Sequence, residues 1–338
     1  MIRVGLVFGG RSAEHEVSIM TAKEIYKAID KDKFTLKLFG IDKDGYWEQM
    51  DNIPTNMLSI DNFLSREDKM FIKPNIVKTI QTEIDVVFIL LHGPYGEDGK
   101  IQGFFDMIGK PYVGADLISS ALCMDKGYTK LILDHYDIPQ VPYKIISKYD
   151  SYDIKSIKEK FSLPVFIKPA NMGSSVGITK VKDWDKLINA IEEAHKFDTK
   201  VIIEQGIEAR EIECAILGNE EMIVSHTGEI IPSHEFYDYE AKYFDDGKSK
   251  LIIPAPIDTK YDEKIRTYAI SATRALGVEG MARIDFFLQK DTNNIYLNEL
   301  NSIPGFTPFS MYPNLLMEEG YSYTSLLTKL VELAIEKV

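Results

Sequence analysis

The residues best placed to act together lie near the C-terminus, with Arg283-Ile284-Asp285 on one apolar segment and Glu299-Leu300-Asn301 on the next. Residues two apart on a β-strand share a face, so Arg283 points with Asp285, and Glu299 with Asn301. The polar stretch 290–294 reads as the hairpin turn between the two segments. A turn centred near Thr292 sets Asp285 opposite Glu299 and Arg283 opposite Asn301, to within a residue of register. Two opposed carboxylates repel, and burying them unpaired is costly. A hard divalent cation removes that penalty. Oxygen donors from Asp, Glu and Asn, with no His or Cys, suit magnesium shared with nucleotide phosphates. A solvated face salt-bridged to Arg283 is the alternative.

Directly after Asn301, residues 302–311 hold a tight turn around Pro304-Gly305 that presents backbone N–H groups, a common way to build an oxyanion or carboxylate site. A structural loop would use the same residues. Arg283 nearby adds a guanidinium, which stabilises developing negative charge without losing its proton. A second cluster is Phe166-Ile167-Lys168-Pro169 followed by a small-residue loop, Gly173-Ser174-Ser175-Val176-Gly177. Consecutive N–H groups and hydroxyls there can cradle phosphate oxygens, although an ordinary hairpin turn fits equally. It is not a P-loop, and Gly5, Gly9 and Gly10 do not complete a dinucleotide fingerprint. Lys126, in Met124-Asp125-Lys126, means nothing by itself. Glu204 ends an apolar run with Glu211 seven residues on, and such a strand edge could offer groups to adenine and ribose; structural acids are the commoner case. The aromatic and charged stretch 236–243 suggests a lid over a polar ligand, or else a surface loop with buried tyrosines.

Three lobes of α/β and α+β type must position these groups. The first reads as a doubly wound parallel-sheet unit: strand 4–8, a glycine turn at Gly9-Gly10, a helix through Val17 and Ile29, then strands 35–41 and 85–91. Residues 43–83 read as loops and an edge hairpin. The second has a helix capped by Ser119 or Ser120 and running through Ile132. Strands 165–168 and 177–181, a helix over 184–197 and the strand 201–205 complete it. The third is rich in strands, 214–217, 222–225, 280–289 and 295–301, and closes with a helix over 322–336. The expected boundaries are 1–114, 115–204 and 205–338.

A net charge of −13 over 338 residues argues against a nucleic-acid or acidic-membrane partner. It would also repel a nucleotide unless lysines and metal gather locally. No apolar stretch approaches the roughly 18 residues that span a bilayer, and the N-terminus enters a strand without a signal-peptide pattern. Cys123 and Cys214 sit in apolar periodic segments, so buried free thiols in a reducing cytoplasm are expected.

Taken in order, these motifs resemble the D-alanine–D-alanine ligases of the ATP-grasp superfamily over nearly the whole chain. The resemblance rests on Gly9-Gly10-x-Ser12-Ala13-Glu14, His92-Gly93…Gly96-Glu97-Asp98-Gly99, Met124-Asp125-Lys126 and Lys168-Pro169…Gly177. It continues through Phe236-Tyr237-Asp238-Tyr239-x-x-Lys242-Tyr243, Arg283-x-Asp285, Glu299-x-Asn301 and Pro304-Gly305…Ser310-Met311-Tyr312-Pro313. It implies ATP between the second and third lobes, with Lys126 and Lys168 at the phosphates and Glu204 and Glu211 at the adenosine end. The loop containing Gly173 and Ser175 would cover the phosphates, with Lys242 by the transferred one. Asp285, Glu299 and Asn301 would hold two magnesium ions, which manganese can replace. Glu14, Ser174 and Tyr243 resemble the family's hydrogen-bonded triad, with His92 nearby. Arg283 and the Gly305 amide would form the oxyanion hole, and Ser310 with the Met311 amide would receive the second amino acid. The resemblance implies a cytoplasmic homodimer serving peptidoglycan synthesis, with D-alanine and ATP as its small-molecule substrates. Tyr243 favours an amine acceptor and Met311 favours D-alanine over D-serine. Pro308 and Phe309 depart from the small or polar residues frequent at their positions. A ligase for other amino acids, or a nucleotide-binding regulator without catalysis, are the competing readings.

Overall fold

The apolar N-terminal runs form a parallel sheet because both of its faces are covered: all four residues of strand Val86–Ile89 are buried. The computed structural model describes residues 1–53, 60, 70–231 and 250–337. In the first lobe β1 (Ile2–Gly9) lies between β2 (Phe34–Ile41) and β4 (Val86–Ile89), parallel to both, and β3 (Trp47–Met50) adds an antiparallel edge beside β2. The edge hairpin expected in the stretch 43–83 is met by β3 against β2, but the stretch also holds an unexpected helix, α2 (Pro74–Glu83), with Pro74 in its first turn and Ile76 and Ile80 buried. Two buried isoleucines in a polar segment give too narrow a stripe to stand out as a period.

The turn from β1 into α1 (His15–Ala28) requires glycine. Gly9 has φ +93°, and a Cβ there would lie 2.1 Å from the Ile41 carbonyl oxygen. Ser18 fixes this turn from within the helix, accepting from the Gly9 amide at 2.8 Å and donating to the Leu90 carbonyl at 2.5 Å. Glu14 takes the N-cap position, its carbonyl accepting from the Ser18 amide at 3.0 Å, and its carboxylate makes no cap bond.

Where one long helix was expected, the second lobe opens with two: α4 (Leu117–Met124) and α5 (Lys126–His135), which follow α3 (Lys100–Met107). Asp125 breaks the run, its carboxylate accepting from the Gly127 and Tyr128 amides. The α4 cap is Asp116 rather than Ser119 or Ser120. Both serines lie buried inside the helix, with Ser119 donating to the Gly277 carbonyl. The sheet that follows is wholly antiparallel, in the order β5 (Tyr143–Ser147), β8 (Lys200–Gln205), β6 (Val165–Pro169), β7 (Thr179–Val181). Helix α6 (Ile154–Lys160) lies between β5 and β6 in the chain. A short 3-10 turn, Trp184–Lys186, leads into α7 (Leu187–Ala194), which packs Leu187, Ile191 and Ala194 into this lobe's core.

The third lobe is an antiparallel sheet ordered β12 (Lys250–Ile252), β11 (Gly228–Ile231), β9 (Ala209–Gly218), β13 (Gly280–Gln289), β14 (Ile295–Asn301), with β10 (Ile223–Val224) paired to β9. Along β13 burial alternates. Ile284, Phe286 and Leu288 pack against Ile265, Ala269 and Ala272 of α8 (Thr259–Ala275), while Arg283, Asp285 and Phe287 take the other face. Helix α8 was not expected, because much of its buried face is alanine, which carries little hydrophobic signal. Helices α9 (Met311–Glu318) and α10 (Tyr323–Glu336) close the chain; Ser322 caps the last within a capping box. Their buried faces join the first lobe's core, where Leu326, Leu327 and Val331 share a cluster with Val4 and Phe88.

The β13–β14 register pairs Arg283 with Asn301 and Asp285 with Glu299, as expected. The route to it differs. Nearer the turn, Phe286 pairs with Leu297, so Asn298 is an extra residue, and this bulge brings the acids opposite each other.

Gly9→Ala should destabilise the protein by ~2 kcal/mol or more, since it adds left-handed strain to a collision with backbone. Equilibrium urea unfolding measures this, and an unchanged midpoint would contradict the stated role of the turn.

Candidate active site

All three lobes contribute to one cavity of about 640 Å³, the first through residues beyond its strands. Its lining includes Glu14, His92, Lys126, Lys168, Gly173, Ser174, Ser175, Glu204, Glu211, Arg283, Asp285, Glu299, Asn301 and Gly305. Residues from sequence positions nearly 300 apart thus face one space.

On the third lobe, Asp285 is held by Arg283 through two contacts, Nε to Oδ1 at 2.8 Å and Nη2 to Oδ2 at 2.7 Å. The Asn301 side-chain amide also donates to Asp285 Oδ2, at 3.0 Å. That contact uses the N–H of the amide and not its oxygen, the atom a cation would take. The donor set of two carboxylates and one amide oxygen fits a hard divalent ion. Among the described residues no group of three or more His, Cys, Asp or Glu is arranged to hold a metal. A cation here would therefore share its coordination with another oxygen-bearing group, as magnesium does with phosphates.

The second lobe supplies the positive charge. Glu204 is buried, and its carboxylate lies 2.7 Å from the Lys130 ammonium and 2.5 Å from that of Lys168. Burial disfavours this carboxylate, yet the two lysines outweigh that effect and lower its pKa from 4.5 to about 2. Its strand, β8, lies between β5 and β6, so the expected strand edge is instead an interior strand, with Glu204 paired on both sides. A buried carboxylate needs counter-charge, and Lys130, packed beside the Tyr143 ring, was not foreseen in that part.

Lys126 donates to the Met172 carbonyl at 2.7 Å and so ties the first turn of α5 to the glycine–serine loop. Burial and the neighbouring Lys168 lower its pKa, against the pull of Glu299 and Glu204. In the loop itself, Ser174 and Ser175 both have positive φ, 50° and 61°, and Gly177 follows at 74°. Successive left-handed residues turn backbone N–H groups toward one side, the arrangement that receives anions. Gly177 must be glycine, because a Cβ would come within 2.8 Å of Phe197 and Pro169.

From the first lobe, Glu14 reaches the same loop: a Cβ on Gly93 would lie 2.8 Å from its carboxylate, and one on Gly173 3.5 Å away. His92 is buried, with Nδ1 at 3.2 Å from the Ile303 carbonyl and Nε2 at 3.3 Å from Thr21. Burial opposes its charge, but Glu97, Glu14 and the Ile303 carbonyl prevail and raise its pKa. Glu97 lines the cavity and also accepts from the Gly93 amide at 3.1 Å. It belongs to the motif His92-Gly93…Gly96-Glu97-Asp98-Gly99, where the sequence alone singles out His92.

Not every expected residue lines this cavity. Ser310 and Met311 stand at the start of α9; the Ser310 hydroxyl is engaged with Thr307, and Met311 is buried against Gly228. Phe309 is exposed, and the Pro308 carbonyl accepts from Asn314. Lys242 and Tyr243, with the expected lid at 236–243, lie outside the described residues. Cys123 and Cys214 are free and buried, as expected, and burial pushes the Cys123 thiol up to about 12.

Models of the D-ala D-ala ligase N-terminus and C-terminus match residues 3–115 and 132–332. The chain belongs to the D-alanine–D-alanine ligase family. It is 48% identical over 350 residues to the D-alanine–D-alanine ligase of Caldicellulosiruptor bescii, covering 99% of this chain and 96% of that one. With the Thermoanaerobacter pseudethanolicus enzyme of the same name it shares 45% over 357 residues, at the same coverage. Among solved structures, the VanG D-Ala:D-Ser ligase from Enterococcus faecalis superposes with a TM-score of 0.84 at 35% identity, covering 98% of this chain and 99% of that one. The Coxiella burnetii D-alanine–D-alanine ligase gives 0.82 at 30%, covering 99% and 94%. Family membership makes the chain an ATP-dependent ligase of the ATP-grasp fold with small-molecule substrates. Among the described residues no helix is long and apolar enough to cross a membrane.

The depressed Glu204 pKa has a stability consequence. A carboxylate lowered on folding stabilises the native state above its unfolded value, and this contribution is lost as pH falls toward the folded value. For Glu204 the window runs from 4.5 down to about 2, and the contribution is on the order of 3 kcal/mol. The stability gap between wild type and Glu204→Gln should therefore narrow between pH 7 and pH 3. Urea unfolding at both pH values reads this out, and a constant gap would count against the ion-pair cluster.

Proposed function

We propose that this chain joins two D-alanine molecules into D-alanyl-D-alanine through an acyl phosphate, supplying peptidoglycan precursors in the cytoplasm as a homodimer. The observation that carries the reading is the convergence of the acid–amide set, Arg283 and two lysines on one cavity beside a loop of successive left-handed residues. A site that only bound a nucleotide would have no need of a guanidinium beside the acids. The three lobes are taken as 1–114, 115–204 and 205–338, each with its own sheet.

A carboxylate is a poor electrophile. In the proposed first step the carboxylate oxygen of one D-alanine attacks the γ-phosphorus of ATP, the bond to the bridging oxygen breaks, and ADP leaves. Lys126 and Lys168 balance phosphate charge, the Gly173–Ser175 backbone covers the phosphates with Lys242 beside the transferred one, and Glu204 and Glu211 serve the adenosine end. Asp285, Glu299 and Asn301 would hold two magnesium ions, whose positive charge would offset that of the transferring phosphoryl group. Glu14, with Ser174, Tyr243 and His92, orients the first D-alanine. In the second step the amine of the other D-alanine attacks the acyl carbon and loses a proton, and inorganic phosphate leaves. Arg283 and the Gly305 amide stabilise the tetrahedral oxyanion, a contribution of ~3 kcal/mol per donor. Ser310 and the Met311 amide receive the acceptor's carboxylate.

Incubation with ATP, magnesium and D-alanine, followed by mass spectrometry, should give D-alanyl-D-alanine, ADP and phosphate. D-Serine offered in competition should be used less. Arg283→Ala should retain ATP binding and lose ligation by ~100-fold or more. Absence of dipeptide from the wild-type chain would refute the substrate assignment, and undiminished turnover by Arg283→Ala would refute the role of that residue.

A further inference from the structure

Arg283 is gripped from two strands. Besides Asp285, its Nε lies 2.9 Å from Glu213 Oε2, and Glu213 is only 3% exposed. Glu213 sits on β9 directly opposite Asp285, which on its other side pairs with Glu299, so three carboxylates form one row across adjacent strands. Its chain neighbours Ile212 and Cys214 are buried and apolar. An acid so enclosed is retained at a cost unless its partner matters.

We infer that Glu213 is the positioning residue that holds the Arg283 guanidinium toward the reacting carbonyl when Asp285 is engaged elsewhere. In this structure both Asp285 oxygens face Arg283. Any cation that takes those oxygens weakens the hold of Asp285 on the guanidinium. Glu213 approaches from the opposite strand and is outside the proposed metal-holding set, so its grip persists. The arginine then keeps its place while its other partner changes. This inference rests on the proposed oxyanion role of Arg283, which Glu213 serves without touching substrate.

The experiment uses the full chain and separates the two half-reactions. Positional isotope exchange in 18O-labelled ATP with D-alanine reports acyl-phosphate formation, and dipeptide release reports the whole reaction. Glu213→Gln should lower kcat for dipeptide by about 100-fold, the scale of an ångström-sized misplacement, while leaving isotope exchange and KM for D-alanine within about three-fold. Glu213→Asp, which keeps the charge, should recover much of the loss. A kcat for Glu213→Gln within two-fold of wild type overturns the inference. So does an equal fall in exchange and ligation, which would mark a purely structural acid. If Glu213→Gln fails to fold, judged by its thermal melt, Glu213→Asp decides through the shorter reach of its carboxylate: a ligation kcat a few-fold below wild type with isotope exchange unchanged supports the inference, and an equal fall in exchange and ligation overturns it. A wild-type chain that makes no dipeptide would instead defeat the function proposed above.

Discussion

Every carboxylate enclosed around the cleft must be matched by positive charge, and much of the architecture follows from meeting that demand in a chain of net charge −13. Glu204 is matched by Lys130 and Lys168 within one lobe, Asp285 and Glu213 by Arg283 within another. Across the gap between them Lys126 feels the field of Glu299. The cations come from α5, β6 and β13, which must keep their mutual placement for the acids to stay buried. The same cations suit a polyanionic ligand, so stability and function draw on one set of charges.

The hairpin that carries Arg283, Asp285, Glu299 and Asn301 was legible in the sequence because strand alternation is a strict period and polar turn residues mark its tip. Lys168 and the loop from Gly173 to Gly177 were legible for a similar reason, an apolar run ending abruptly in small residues. The partners of these groups were harder to see. Lys130 and Glu213 each sit in amphipathic or apolar segments where one charged residue looks incidental, and only pairing across strands or between helix and sheet reveals its use. Helices α2 and α8 escaped notice because their buried faces are narrow or alanine-rich. The serines near residue 119 resembled caps, but Asp116 lies one residue before the helix and takes that place.

The loop at Ser174 and Ser175 stores local strain, since two successive non-glycine residues hold left-handed backbone. It is fastened at two points on its N-terminal flank. The Asn171 amide and side chain both bond Asp198 at 2.8 Å, and the Met172 carbonyl takes the Lys126 ammonium. A ligand that drew Lys126 toward itself would loosen one fastening, which ties the helix start to the freedom of the loop.

The bulge at Asn298 settles which side chains the cleft receives. In an unbroken ladder continuing from Phe286 and Leu297, Asp285 would face Asn298. Leu300 would then point into the polar space and Glu299 into the apolar layer against α8. A single inserted residue therefore inverts the strand's polarity at its functional end. A hairpin whose tip register differed by one residue would keep the same acid pair only through a compensating slip, so the bulge couples chain length at the tip to chemistry at the base.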